Sequence, residues 1–410
     1  MSNPINPFYS GIDIPDEYFC DRVKETEEII NLIDNGFNIV LKSPRRIGKS
    51  SLIKHIFNQE SIKNKYNTLF VDIYGTNNLD EFTGEFRKAF WEAPFARTER
   101  DKKSILSFLK GGYLQMNLSP SGEFKSLRFG FSPSENTEMT LDAMFRFMEQ
   151  TESPNIIAID EFQTINEYPE KAAAILRSFV QQMNNTHFIF AGSSRHMLNR
   201  MFEYPSEPFY RSSTSMDLKV IPLESYTDFC TGMFAKYGKS INTEAVHLVY
   251  YLFQGNTFDM QSVMKFTFSS VSENGSAVCE TVIGSVEGIL NRRDQEFRET
   301  MSRLRNKTER NLVFCIASEG IAYGLTSSAM IKKYDLESAS SVQNAIKNLS
   351  REDFNLVQKM DKGTYILRDR FFELWLSKMN TSFDDKIAEA KERFFTQKAM
   401  SESLELPKKS

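Results

Sequence analysis

Apolar and polar positions follow two rhythms along the first 200 residues. Asp21 to Asp34 carries Val23, Ile29, Ile30, Leu32 and Ile33 among charged residues, a helical spacing, and Asn35-Gly36 ends it with residues that tolerate the left-handed conformation. Phe37 to Leu41 is a short apolar run that predicts a buried strand, and Ser50 to Asn58 predicts a helix with Leu52, Ile53 and Ile56 on one side. Thr68 to Ile73 predicts a second strand, followed by a helix from Leu79 to Trp91 that stops near Pro94. Tyr113 to Leu118 and Glu123 to Phe131 flank Pro120-Ser121-Gly122, a hairpin signal. Thr140 to Gln150 is helical, and Asn155 to Asp160 is a third apolar strand that ends in an acidic pair. A helix from about Pro169 to Asn184 leads to a fourth strand, His187 to Gly192. Strands alternating with helices predict an α/β fold: a parallel sheet in a three-layer core. Ligands of such sheets sit at the carboxyl ends of the strands.

The second half changes character. Glu224 to about Asn306 is helical with no clear strand. The charged stretch Glu287 to Arg310 reads as a solvated connecting helix. Thr308 to Ala317, Thr326 to Lys333 and Ser338 to Leu349 predict three short helices, then Phe354 to Gln358 and Thr364 to Leu367 two strands around Asp361-Lys362-Gly363. That succession is a winged helix-turn-helix. The expected organisation is a core over 1–222 with a hairpin insertion near 111–132, a helical lid over 223–306, the winged helix over 307–380 and a polar tail over 381–410, read as a loosely attached helix.

Composition narrows the function class. The net charge is −4 and the pI about 5.8, so no global basic field draws the protein to nucleic acid or anionic lipid. The start, Met1 to Pro7, has no basic region followed by an apolar stretch, and no apolar run approaches the roughly 20 residues of a membrane helix. A cytoplasmic, membrane-free protein is the expectation. Four cysteines and four histidines without CxxC or HExxH spacing predict free thiols and no zinc site. The 35 phenylalanines are read as core filling.

The chemistry lies in loops that follow strands. Ser43 to Ser51 reads SPRRIGKSS, and Gly48-Lys49-Ser50 is the end of the phosphate-loop pattern GxxxxGK[ST], with Ser43 where the first glycine would fall. Such a loop places backbone N–H groups around phosphate oxygens at a helix N-terminus. Gly48 permits close approach, Lys49 supplies charge, and the Ser50 hydroxyl suits Mg²⁺. A carboxylate at the end of a buried strand is costly unless something needs it. Asp160 is therefore read as the Mg²⁺ carboxylate and Glu161 as the group that polarises the attacking water. A pair of acids capping the next helix is the plainer alternative. Ser193 and Ser194 follow the fourth strand, where a polar side chain can sense the γ-phosphate. Arg211 precedes the apolar run Val220 to Leu223, and is expected either to reach the γ-phosphate of its own subunit or a neighbour's, or to form a surface ion pair.

Four segments resemble a known family: Phe19-Cys-Asp-Arg22 with Glu25, Pro44 to Leu52, Ile159-Asp-Glu-Phe-Gln163, and Ala191-Gly-Ser-Ser194 with Met197-Leu198. Together they are similar to the archaeal-type ATPases, a branch of the P-loop NTPases related to the AAA+ and STAND groups. The resemblance covers roughly residues 7 to 380. It implies an AAA+-like core with lid and winged helix, and ATP or ADP with Mg²⁺ as ligands. It implies phosphate binding by Pro44, Arg45, Arg46, Ile47, Gly48, Lys49, Ser50 and Ser51, metal binding by Ser50 and Asp160, and Glu161 as catalytic base. It also implies that Phe19 to Arg22 lies near adenine. Ser43 departs from the family glycine and would cost about 1–2 kcal/mol if the position needs φ > 0. With roughly 30 residues after the winged helix, the nuclease-like domain of some members is expected to be absent.

A winged helix suggests DNA, with Ser338 to Leu349 as recognition helix. Yet ten basic residues face nine acidic ones from Glu309 to Asn380, and the helix itself carries only Lys347. DNA readers need several phosphate-neutralising side chains, so a protein-contact or regulatory role is favoured. The sequence leaves three readings: an ATPase switch, an ADP-retaining scaffold with little turnover, and a DNA-binding regulator.

Overall fold

The computed structural model describes residues 6–96, 105, 112–118, 124–131, 137–169, 171–351, 354–360, 363–379 and 382–393; over 112–118, 124–131 and 137–140 only the backbone is described. The chain forms two units, Gly11–Val220 and the remainder, the latter including the described residues before Gly11.

In the first unit the predicted strands appear as β1 (Ile39–Lys42), β2 (Asn67–Asp72), the antiparallel pair β3 (Gly112–Leu118) and β4 (Phe124–Phe131), then β5 (Asn155–Asp160) and β6 (Thr186–Gly192), and an unpredicted strand follows, β7 (Thr214–Asp217). Five of them form one parallel sheet in the order β2-β5-β6-β1-β7. Successive side chains point to opposite faces of a strand. Ile39, Leu41, Ile156, Ala158, Ile189 and Ala191 thus pack with Leu52, Ile53 and Ile56 on one face. Val40, Ile157, Ile159, Phe188 and Phe190 pack with Phe82, Phe86, Phe145 and Phe202 on the other. Helices on both faces give the three layers. Many of the phenylalanines are core filling: Phe162, Phe190, Phe202 and Phe209 meet at ring distances of 4.6–5.9 Å.

Because the sheet is parallel, Lys42, Asp72, Asp160 and Gly192 all end their strands at one edge. The fifth strand lies on the polar Thr214–Asp217, where only Met216 is buried. An edge strand with one wet face carries little apolar signal. The Pro120-Ser121-Gly122 turn lies outside the described residues.

The second unit begins with the helices Leu223–Lys236, Thr243–Leu252, Thr257–Ser270, Cys279–Arg292 and Asp294–Ser302. Two two-residue strands that the pattern did not reveal, β8 (Ser240–Ile241) and β9 (Ser276–Ala277), pair in parallel between them. Phe8 is buried in this unit against Phe229, Phe234 and Phe268. The first described residues therefore pack with the helical unit and not with the sheet. The winged helix follows: Lys307–Glu319, Ser328–Tyr334 and Ala339–Leu349, with β10 (Ala322–Tyr323), β11 (Val357–Lys359) and β12 (Thr364–Leu367) in the order β10-β12-β11.

Two expectations here are corrected. The charged stretch after Glu287 is no merely solvated connector. Arg293 bridges Glu296 and Asp369, both at 2.7 Å, and stacks over Phe297. It joins the helical part to the start of helix Arg370–Met379. The tail is not loose over 383–393, which is helical with Phe383, Ile387 and Ala390 buried at i, i+4 and i+7. Lys386 reaches the buried Glu373 at 2.6 Å. Among the described residues no helix is long and apolar enough to cross a membrane.

Candidate functional site

The loop from Ser43 to Gly48 joins β1 to helix α2 (Lys49–Asn58). Gly48 is the N-cap with φ 93°, a conformation that favours glycine. No side chain caps α2 and no acid occupies its first turn. Its first N–H groups thus keep their capacity for an anion. Arg46 also takes positive φ, 65°, but Ser43 is not among the residues that do. Ser43 is fully buried; its hydroxyl donates to the Pro44 carbonyl and its N–H to that of Gly192. The strain expected of a serine here does not arise, because the left-handed turn falls on Arg46 and Gly48.

Across the edge, Lys49 Nζ lies 2.6 Å from Asp160 Oδ1 and 3.6 Å from Glu161 Oε1. The Ser50 hydroxyl donates to the other Asp160 oxygen. Lys49 and Asp160 are both buried. Glu161 is held at φ 55° and its N–H donates to Asp160 Oδ1 at 2.9 Å. Glu161 Oε2 accepts from Gln163 Nε2 at 2.5 Å and from the Ser193 hydroxyl at 2.8 Å. Arg45 Nε donates to that hydroxyl at 3.3 Å. Loop, acid pair and Ser193 thus meet in one cluster.

Burial opposes ionisation of Glu161, but Lys49, the bonds from Gln163 and Ser193, and Arg45 together hold its carboxyl below the ordinary range. Asp72 moves the other way. Asp72 is exposed as a residue, yet partial desolvation of its carboxyl raises it, the N–H of Tyr74 offsets part of this, the charges of Asp160 and Glu161 raise it further and Lys49 lowers it. Left-handed backbone in non-glycine residues costs about 1–2 kcal/mol each. Among the described residues of this unit it falls on Asp21, Arg22, Arg46, Glu161 and Arg211, and Arg46 and Glu161 lie in the cluster itself.

Arg22 is buried and braces the loop: Nη1 pairs with Glu25 at 2.7 Å and Nη2 donates to the Ile47 carbonyl at 3.2 Å. Phe19 stacks on His55 of α2, 3.9 Å between ring centroids. The segment Phe19 to Arg22 therefore lies beside the phosphate loop. Ser51 donates to the Gly11 carbonyl at 3.2 Å. Ser194 turns to His196.

Arg211 is not brought to this cluster. Thr214, three residues later, pairs with Ile39 at the start of β1 and not with its end. The parallel register puts Arg211 at the amino edge of the sheet, with its guanidinium 5.1 Å from the Tyr210 ring. A strand of four residues spans about 13 Å, so a role of Arg211 at its own subunit's site is corrected. Three positions without an assigned role emerge instead: Asp72, Gln163 and Gly192. Gln163 was visible only as a polar residue just past the acid pair; nothing in its type signalled that it bends back onto Glu161.

A family model described as an ATPase domain predominantly from Archaea matches residues 19–263, and one described as a probable winged helix domain matches residues 295–378. A protein of Methanocaldococcus jannaschii, described as an uncharacterized ATP-binding protein, is 33% identical over 98 residues. That match covers 21% of this chain and 26% of the relative, so the chain spans about a quarter of its curated relative's length. The Walker-type ATPase PABY2304 of Pyrococcus abyssi superposes with a TM-score of 0.60 at 15% identity, covering 90% of this chain and 99% of that one. The ORC2 protein of Aeropyrum pernix, in its ADPNP–ADP complexes, superposes with a TM-score of 0.54 at 13% identity, covering 94% and 98%. At these identities the likeness is one of fold. The family model, however, matches more than half of the chain, and the chain belongs to the family of ATPase domains found predominantly in Archaea.

Proposed function

We propose that the chain binds ATP with Mg²⁺ at the carboxyl edge of the sheet and hydrolyses it to ADP and phosphate, the two nucleotide states forming a switch. The observation that carries this is the contact of Lys49 and Ser50 with the two oxygens of Asp160. Ser50 and Asp160 offer the oxygen donors that a hard cation takes. Mg²⁺, when bound, neutralises charge on the β- and γ-phosphates. Lys49 and the uncapped N–H groups of α2 bind phosphate oxygens. Glu161, ionised and fixed beside Lys49, accepts a proton from the attacking water. Phe19 and Arg22 support the nucleotide from the flank of α2. Phosphate release by the wild type and by Glu161→Gln tests the reading. The wild type should turn over and Glu161→Gln should retain ATP. A wild type that binds ATP without turnover supports the ADP-retaining scaffold instead.

The winged helix reads better as a protein contact than as a DNA reader. Ile321, Tyr323 and Met360 expose large apolar side chains in and beside its small sheet. Of the helix Ala339–Leu349, Ser340, Gln343, Asn344 and Lys347 are exposed, with a single positive charge. An electrophoretic shift titrated with salt tests this. No shift, or one insensitive to salt, is expected; a strongly salt-dependent shift would reinstate DNA.

A further inference from the structure

We propose that Gln163 is a positioning residue that fixes which oxygen of Glu161 meets the attacking water; this rests on the ATPase reading above. Glu161 has two carboxylate oxygens in different surroundings. Oε2 is occupied by two donors, the Gln163 amide at 2.5 Å and the Ser193 hydroxyl at 2.8 Å. Oε1 faces Lys49 Nζ at 3.6 Å, on the side of the phosphate loop. With Oε2 saturated, Oε1 is the oxygen that remains for a proton.

The amide is not there for its own sake. Gln163 is 7% exposed, and its Oε1 has no hydrogen-bond partner among the described residues. An unsatisfied buried carbonyl is unfavourable. Turning the amide over would not relieve it, because the amide oxygen would then confront the Glu161 carboxylate. The orientation is set by Glu161. Room for it is made by Gly192 at the end of β6, where a Cβ would overlap Gln163 Oε1. Gly192 also precedes Ser193, so one strand end shapes both donors. The left-handed backbone of Glu161 completes the arrangement, since it starts the turn Phe162–Glu167 that brings Gln163 back under the carboxylate.

Gln163 touches neither nucleotide nor water in this account. Its loss should therefore appear in kcat and not in affinity. Gln163→Met keeps length and volume but removes the donor. Misplacing a reacting group by about 1 Å can cost about 100-fold, and kcat should fall by up to that factor while the Kd for ATP stays within about twofold. In a Glu161→Gln background, which retains ATP, Gln163→Met should leave that retention unchanged, which a general structural defect would not reproduce. Gly192→Ala, which displaces the amide without changing it, is the second variant and should lower kcat likewise. Unchanged kcat in both variants, with an active wild type, overturns the inference and leaves the ATPase reading standing. A rise in Kd at constant kcat overturns it too, since the amide would then serve the nucleotide pocket. No turnover by the wild type overturns the ATPase reading itself, and this inference with it.

Discussion

Lys49 and Asp160 form a buried ion pair, 2.6 Å from Nζ to Oδ1, between the first turn of α2 and the end of β5. Each charge depends on the other while no nucleotide is bound. Removing one partner of a buried pair typically costs about 3–5 kcal/mol. Lys49→Ala should therefore lower the thermal unfolding midpoint of the nucleotide-free protein as well as abolish ATP binding. Lys49→Ala combined with Asp160→Asn should recover much of the stability and none of the binding, as read by calorimetry.

The two unusual positions of the loop should behave differently. Gly48→Ala adds a Cβ that meets no neighbour but sits at φ 93°, so backbone strain of about 1–2 kcal/mol is expected, with weaker nucleotide binding. Ser43→Gly relieves no strain, because Ser43 is not left-handed. Its ATP affinity should stay within about twofold of wild type, and its stability should fall by about 1 kcal/mol for a glycine outside left-handed backbone. Tighter binding by Ser43→Gly in a fluorescence titration would contradict this.

Acid should act on the two outer carboxylates with opposite sign. Glu161 has a lowered value in the folded protein, so its contribution is present above the unfolded value of about 4.3 and fades as pH falls below it. Asp72 has a raised value, so its charge opposes folding at neutral pH, and that penalty is relieved as pH falls through the raised value. Asp72→Asn should thus raise the unfolding midpoint at pH 7. Solvent screening limits the gain to less than about 1 kcal/mol, and it should vanish near pH 3, where the carboxyl is protonated in both states. A gain that persists unchanged at pH 3 would rule out this charge effect.

Arg22 serves two acceptors at once, Glu25 and the Ile47 carbonyl. A lysine has one compact head and cannot span both in the same way. Arg22→Lys should weaken ATP binding about tenfold, roughly the 1.4 kcal/mol of one net hydrogen bond lost from the loop's brace. Equal affinity in a direct titration would show that the loop holds its shape without the brace.

In the second unit, Glu373 accepts from Arg370 and from Lys386, and all three side chains are largely buried. Glu373→Ala leaves two like charges facing each other, and about 3–5 kcal/mol of stability should be lost. Limited proteolysis should then cut within 383–393, which Lys386 no longer fastens. A tail as resistant as in the wild type would mean that its apolar face alone secures it.

The central strands and the phosphate loop were legible because fully buried strands are continuous apolar runs and because β1, loop and α2 are adjacent in the chain. Asp160 and Glu161 were legible because charge at the end of such a run needs a purpose. Arg211 was misplaced because sequence order does not show which edge of a sheet a loop occupies; only the register of Thr214 on Ile39 does. The strand Thr214–Asp217 was missed because its outward face is polar. The role of Gln163 depends on a left-handed residue, Glu161, which no local signal marks. The helix after Met379 was legible, but its firm attachment was not, because the polar majority hid the stripe of Phe383, Ile387 and Ala390.

The most direct measurement is a calorimetric titration of the purified chain with ATP and Mg²⁺, beside Lys49→Ala. Saturable binding at one site by the wild type, lost in Lys49→Ala, is the predicted result. Equal binding by both proteins, or none by a folded wild type freed of copurified nucleotide, would contradict an ATP site at Lys49, Ser50 and Asp160.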